Sequence, residues 1–331
     1  MEDKMGVIYR QYEMKILDTY RVKGCTVLDT DDGEWIIKPY ESSETKAKID
    51  NMIKKHMKDC GYEKVDEIRE NKEGNLISYN QYGNPFVVRR MLKGQECDLY
   101  NENQVLEATT ALARLHDTLK QMRLDDELEK KIRVKNLFEE MDSHLKGMKR
   151  IKRYLIEKNK KNYFESEFLN MFDRYIDQGE NSKLMVNELK KTGVELERDL
   201  YHGSFDHHSV LFLENDNSVA VTNFEKCAIG SQIVDFYHFL RKTMEKNDWN
   251  ERLGNEMIME YTSNGRVSDF EWETLRILLE FPEKFWKIAN QYYNKRKVWV
   301  SDKNIQKLNS LNEQEEKRKM FIKTVIKCHI E

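Results

Sequence analysis

Residues 201–225 read YHGSFDHHSVLFLENDNSVAVTNFE, and they constrain the fold more than any other stretch of the chain. The pair His202-Gly203 opens a polar loop, and a short apolar run follows at 210–213. Glu214, Asn215, Asp216 and Asn217 supply a turn, and a second run over 219–222 ends on Asn223-Phe224-Glu225. Two short apolar runs joined by turn residues predict a hairpin. A hairpin brings its two ends back to one place, so the loop after His202 and the segment Asn223-Phe224-Glu225 are predicted to lie together.

The chain changes period around this hairpin. Upstream it reads as strands over 25–29 and 35–38, joined at Asp31-Asp32-Gly33, because Asp-Gly between apolar runs is a hairpin signal. After Pro39, Ser42 or Ser43 can cap a helix running to about residue 59, with Gly61 placed to stop it. Further strands are predicted at 65–70, at 76–79 beyond a turn over 71–75, and at 86–91. Lys93-Gly94 marks the crossing into a second part. From residue 101 the period becomes helical, with Leu106, Thr110, Ala113 and His116 on one face. Charged amphipathic helices are predicted at 135–159, 163–190, 233–244, 249–262, 269–279, 282–295 and from about 302, with Pro282 tolerated in a first turn. With only 3 prolines and 14 glycines in 331 residues, little interrupts such helices. The expected class is α+β, with a small antiparallel sheet and one helix over 1–92 and a mainly helical part over 93–331 that contains 201–225.

Composition excludes several functions. Charged residues make up 35% of the chain, yet the net charge is −3, so no basic footprint for nucleic acid is present. The five cysteines are spread out without a C-x-x-C pair, which points to reduced thiols and away from a zinc knuckle or a disulfide framework. No apolar leader core and no run long enough to span a bilayer is visible, so a protein of the cytoplasm in which it is made is expected. His202, His207, His208, Asp206 and Glu225 together suggest a transition-metal site. The structural reading is preferred, because adjacent histidines point in different directions.

Residues 201–225 resemble the active-site region of small-molecule kinases related to aminoglycoside and choline phosphotransferases, where the pattern is HGDxxxxN, a strand, then IDFD or IDWE. Such kinases need a loop carboxylate to orient or deprotonate the acceptor, a nearby Asn, and a second carboxylate that holds Mg²⁺ against the phosphates. Carried over by this resemblance, His202 and Gly203 match. Ser204 stands where the catalytic Asp belongs, Ser209 where the Asn belongs, and Asn223 where the metal-binding Asp belongs. No catalytic residue is intact, and Asp206 is the only carboxylate left in the loop to substitute. Asn223 and Glu225 remain as weak Mg²⁺ candidates, because a neutral amide coordinates Mg²⁺ less strongly than a carboxylate.

The stretches 235–242, 279–294, 92–98 and 111–116, Asp29-Thr30 with Gly33 ahead of Lys38, and a closing Lys-rich helix resemble the CotS-type spore coat proteins, a kinase-like family. The resemblance implies a two-lobed protein-kinase-like fold. It implies that Lys38 faces the phosphates of ATP beside Glu225, with Glu44 a candidate helix partner, although the loop Lys23-Gly24-Cys25 lacks repeated glycines. His202 and Asp235 are then scaffold residues of the catalytic loop, and Trp286, Tyr292, Tyr293 and Trp299 are core aromatics or line an acceptor cleft. The implied function is that of a pseudokinase that binds other coat proteins during assembly, first in the cytoplasm of the mother cell and then in the spore coat. ATP with Mg²⁺, another nucleotide or a small metabolite is the implied ligand of the degenerate site. The rival is a phosphotransferase working through Asp206 and Glu225, and a third reading is a repurposed ligand sensor.

Overall fold

The computed structural model describes residues 6–22, 24–124, 129–132, 134, 136–194, 198–216, 218–263, 265–294 and 302–330. The chain packs as two compact units, each discontinuous in sequence. The first comprises Met1–Asp98, Glu107–Arg133 and Asp199–Ile229; the second comprises Leu99–Leu106, Val134–Arg198 and Gly230–Glu331.

In the first unit, a short helix α1 (Gly6–Tyr9) precedes strands β1 (Ile16–Val22), β2 (Cys25–Thr30) and β3 (Gly33–Pro39), then helix α2 (Glu44–Asp59), β4 (Ser78–Tyr79) and β5 (Pro85–Arg90). The five strands form an antiparallel sheet in the order β1-β2-β3-β5-β4. Alternation puts Trp35 and Ile37 on one face, in a core with Leu28, Phe86 and Val88. The opposite face carries Val87, which packs with Tyr40 and Ala47. Ser43 caps α2 by accepting from Lys46 N–H, and Gly61 follows at φ +92°.

Two strand expectations need correction. The segment 65–70 is not a strand; it meets β5 through one bridge, Ile68 to Arg89, flanked by Arg69 N–H to Val88 O at 2.8 Å and Arg90 N–H to Glu67 O at 2.9 Å. Glu67 is drawn sideways into ion pairs with Lys58 and Arg90, and no longer ladder forms. Strand β1 was not foreseen, since its side chains are all half-buried or exposed and give no apolar alternation.

The remainder of this unit holds the predicted hairpin. Strands β6 (Gly94–Glu96), β8 (Val210–Leu213) and β9 (Val219–Val221) form a second antiparallel sheet, and β7 (Asp199–Tyr201) pairs with β10 (Ala228–Gly230). Helix α3 (Glu102–Lys120) buries Val105, Ala108, Leu112, Leu115 and Leu119 fully. Of the expected face, Ala113 and His116 are buried, while Leu106 and Thr110 are only half-buried.

The second unit is helical: α4 (Leu137–Glu157), α5 (Tyr163–Lys191), α6 (Ile233–Lys246), α7 (Glu251–Thr262), α8 (Asp269–Glu280), α9 (Glu283–Asn294), α10 (Asp302–Glu313) and α11 (Glu315–Phe321). Asn162 with Glu165 and Ser268 with Glu271 form capping boxes that start α5 and α8. Phe168, Phe172 and Tyr175 on α5 pack on Phe285 at ring separations of 4.5, 5.0 and 4.4 Å. Trp286 lies so close to α4 that a side chain at Gly147 would meet its ring at 2.5 Å. Tyr292 and Tyr293 join this aromatic core against Phe164 and Tyr154. Trp299 falls outside the described residues. The class is α+β, as expected. No helix among the described residues is long and apolar enough to cross a membrane.

Candidate functional site

All the residues singled out in the 201–225 segment, together with Lys38 and Glu44, fall in the first unit. Gly203 holds the loop to the turn that follows β9. Its φ is +76°, and a Cβ there would sit 2.0 Å from the carbonyl oxygen of Lys226, so the two backbones touch at a place only glycine fits. His202 is fully buried and ties the same elements together. Its Nδ1 accepts from Ser204 N–H at 3.2 Å, which leaves the proton on Nε2 to be donated to Thr222 O at 2.8 Å. This is the expected meeting of the two ends of the hairpin.

The polar groups inside the loop are occupied with the loop itself. Asp206 Oδ1 accepts from His208 N–H at 2.9 Å, and Asp206 N–H donates to Ser209 Oγ at 3.0 Å. The Ser209 hydroxyl donates back to Asp206 O at 2.8 Å, and Ser209 N–H donates to the same oxygen at 2.9 Å. The carboxylate that could replace a lost base thus caps the turn over 206–209. His208 Nδ1 reaches Glu96 Oε2 at 2.5 Å. Ser204 is half-buried and carries no charge.

Asn223 is exposed and adopts the left-handed conformation at φ 68°, ψ 49°, which Asn tolerates better than most residues. The turn Phe224–Lys226 follows. Phe224 is buried, and the Lys54 ammonium lies 6.0 Å from its ring centroid.

Glu225 joins an ion cluster that sequence reasoning missed. Lys54 on α2 lies 2.8 Å from Asp50 Oδ1 and 2.8 Å from Asp66 Oδ1, ionic contacts without the alignment of a hydrogen bond. Lys54 also donates to Asp66 O at 3.0 Å. Arg89 on β5 donates to Asp50 Oδ2 at 2.5 Å and lies 3.7 Å from Asp66 Oδ2. Its other terminal nitrogen donates to Glu225 Oε1 at 3.3 Å. The Lys54 and Asp50 side chains are fully buried and that of Arg89 is 4% exposed, while Glu225 is 40% exposed. Burial pushes the Asp50 carboxyl up, but Lys54 and then Arg89 outweigh it and hold it below the ordinary range. Burial also raises the Tyr40 hydroxyl, and the charges of Glu225 and Asp50 add to that.

Lys38, expected to face the phosphates, and its candidate helix partner Glu44 do not pair with each other. Lys38 is half-buried on β3 and forms no ion pair among the described residues, and Glu44 pairs instead with Lys48 one helical turn on. Asp235 is fully buried in the first turn of α6, in the second unit.

The donor set does not fit Mg²⁺. Asn223 is neutral, the Ser209 hydroxyl is committed to Asp206, and Glu225 faces a guanidinium. Among the described residues, no three His, Cys, Asp or Glu side chains gather in a way that could hold a metal. The His207 and His208 rings lie 3.8 Å apart, so these adjacent side chains do not point in different directions as expected.

Residues 5–325 match a family described as "Spore coat putative kinase YutH". No curated protein sequence matches the chain. Among solved structures the chain is similar to an aminoglycoside phosphotransferase from Alicyclobacillus acidocaldarius, with 16% identity, 98% of this chain and 96% of that one covered, and a TM-score of 0.81. It is also similar to spectinomycin phosphotransferase solved with ADP and spectinomycin, with 10% identity, 97% and 98% covered, and a TM-score of 0.67. A third is amicoumacin kinase solved with AMP-PNP, Ca²⁺ and Ami, with 15% identity, 98% and 95% covered, and a TM-score of 0.58. Identities this low show the fold alone: the chain has the protein-kinase-like fold of these phosphotransferases.

Proposed function

The chain belongs to the spore coat kinase family that its residues 5–325 match, and on that premise we propose that it is a non-catalytic, kinase-like component that binds partner coat proteins. In this reading its lobes run over 1–92 and 93–331, the loop 201–225 keeps the shape of a catalytic loop, and His202 and Asp235 are scaffold residues. The protein would act first in the mother-cell cytoplasm and then in the spore coat.

One observation carries the reading: each carboxylate that could serve phosphoryl transfer is spent on structure. Asp206 caps its own turn, and Glu225 pairs with Arg89. Ser204 supplies neither charge nor a base of suitable strength. Without a base and without two carboxylates to gather the metal ions, both positioning and charge stabilisation of the transferring phosphoryl group are lost.

The test is ATP consumption by the full chain with Mg²⁺ and a panel of aminoglycosides, choline and other small alcohols. The expected result is no transfer above the spontaneous rate. Robust transfer that disappears in Asp206→Ala would establish the rival, a small-molecule phosphotransferase with a rearranged site.

A further inference from the structure

We propose that Arg89 stands in for a divalent cation, so that this site takes the phosphates of a nucleoside triphosphate without metal, between Arg89 and Lys38. The proposal rests on the non-catalytic reading and adds the ligand and its mode of recognition.

The geometry comes from the sheet. Ile36 pairs with Arg89 and Lys38 with Val87 across β3 and β5. Directly paired residues share a face, so Lys38 and Arg89 are diagonal neighbours on one side of the sheet, about 7–8 Å apart with their Cβ atoms somewhat closer. Two cationic side chains at that spacing can bracket successive phosphates.

Charge points the same way. Asp50, Asp66, Lys54 and Arg89 form a buried set of two carboxylates and two cations that is balanced by itself. Glu225 is therefore a surplus anion on the outer nitrogen of Arg89. Its contact is 3.3 Å against 2.5 Å on the Asp50 side, longer than the roughly 2.7–2.9 Å of a charge-assisted bond. A half-exposed carboxylate held this loosely is one that an incoming phosphate can displace, since a guanidinium accepts either anion with the same planar fork. Mg²⁺ at Glu225 would have to be placed beside that guanidinium, where like charges repel.

The experiment is calorimetric titration of the full chain with ATP, once in EDTA and once in excess Mg²⁺, with turnover followed in parallel. Wild type is expected to bind ATP in EDTA, with no gain from Mg²⁺. Arg89 is too buried to mutate cleanly, so the tests use the two groups nearer the surface. Glu225→Gln removes the competing anion and should tighten metal-free binding by roughly two- to fivefold, the scale of a partly exposed ion pair. Lys38→Met should weaken it at least about tenfold, the scale of a hydrogen bond to a charged group.

Binding that requires Mg²⁺ and is lost in Glu225→Gln would overturn the proposal, because Glu225 would then be a metal ligand. Absence of binding in both arms would overturn it while leaving the non-catalytic reading intact. Phosphoryl transfer in the Mg²⁺ arm would instead remove the reading on which the proposal rests.

Discussion

Arg89 and Arg318 are both buried arginines, one in each unit, and they spend their donors differently. Arg318 donates to Leu279 O and to Glu280 O at the C-terminal end of α8, to Gln178 Oε1 on α5 at 3.3 Å, and to Glu315 at 2.9 and 3.3 Å. Its partners are backbone carbonyls, the Gln178 amide and a carboxylate that is 1% exposed. Arg89 has an equally buried anchor in Asp50, but its last partner is the half-exposed Glu225. A closed cluster locks helices together, whereas a cluster that ends on an exposed anion keeps one cationic edge within reach of a ligand.

The largest expected effect tests what the two have in common. Arg89→Met and Arg318→Met each leave a buried carboxylate uncompensated, and each should cost about 3–5 kcal/mol in denaturant unfolding. The difference shows in double-variant cycles. Arg318 with Glu315→Gln should couple strongly, while Arg89 with Glu225→Gln should couple by less than about 1 kcal/mol. Equal coupling would erase the contrast between the open and the closed cluster.

Acid tests the same pairs without mutation. Burial pushes Glu315 up as it does Asp50, but Arg318 and Gln178 outweigh it and hold it below its ordinary value. A carboxylate with a lowered folded pKa stabilises the fold above the ordinary value and loses that contribution as pH falls through the folded one. Burial also holds the His238 imidazole down at about 3, so stability should begin to fall as pH drops below about 6.5 and fall further below about pH 4, where the carboxylates protonate. A pH titration followed by circular dichroism in which stability stays level from neutral pH down to 4 would contradict this.

The next effect concerns delivery of Glu225 to Arg89. Gly203→Ala forces a Cβ toward Lys226 O and a strained φ, and should cost at least about 2 kcal/mol. Asp206→Ala removes a turn cap and should cost about 1 kcal/mol with no change in ATP binding. The smallest effect is kinetic. Cys60 and Cys328 are exposed and should label quickly with a thiol reagent, whereas burial pushes the Cys97 thiol up to about 12, so it should react only on unfolding.

Local signals carried far in this chain. The Asp-Gly turn before β3, the Ser43 cap and Gly61 after α2, and the hairpin around residues 214–217 were all legible, because each depends on neighbours in sequence. Strand β1 was not, because an edge strand with polar side chains lacks the alternation that marks a buried one. Of the expected face of α3, Ala113 and His116 are buried but Leu106 and Thr110 only half-buried, because packing against what surrounds the helix, not the period alone, selects which residues are covered.

At the site, sequence placed His202, Gly203, Ser204, Ser209, Asn223 and Glu225 in one region. It did not find Asp50, Lys54, Asp66 or Arg89. Arg89 is 39 residues from Asp50 and 136 from Glu225. Nothing in the order of 56 basic and 59 acidic residues marks which few are buried together. The sequence by itself determined the element types and the hairpin, since these are properties of residue type and spacing. Only the tertiary structure decided that Asp206 caps a turn and that Arg89 faces Glu225. A charge pair is selected by which groups lose water together, and that depends on packing between distant segments.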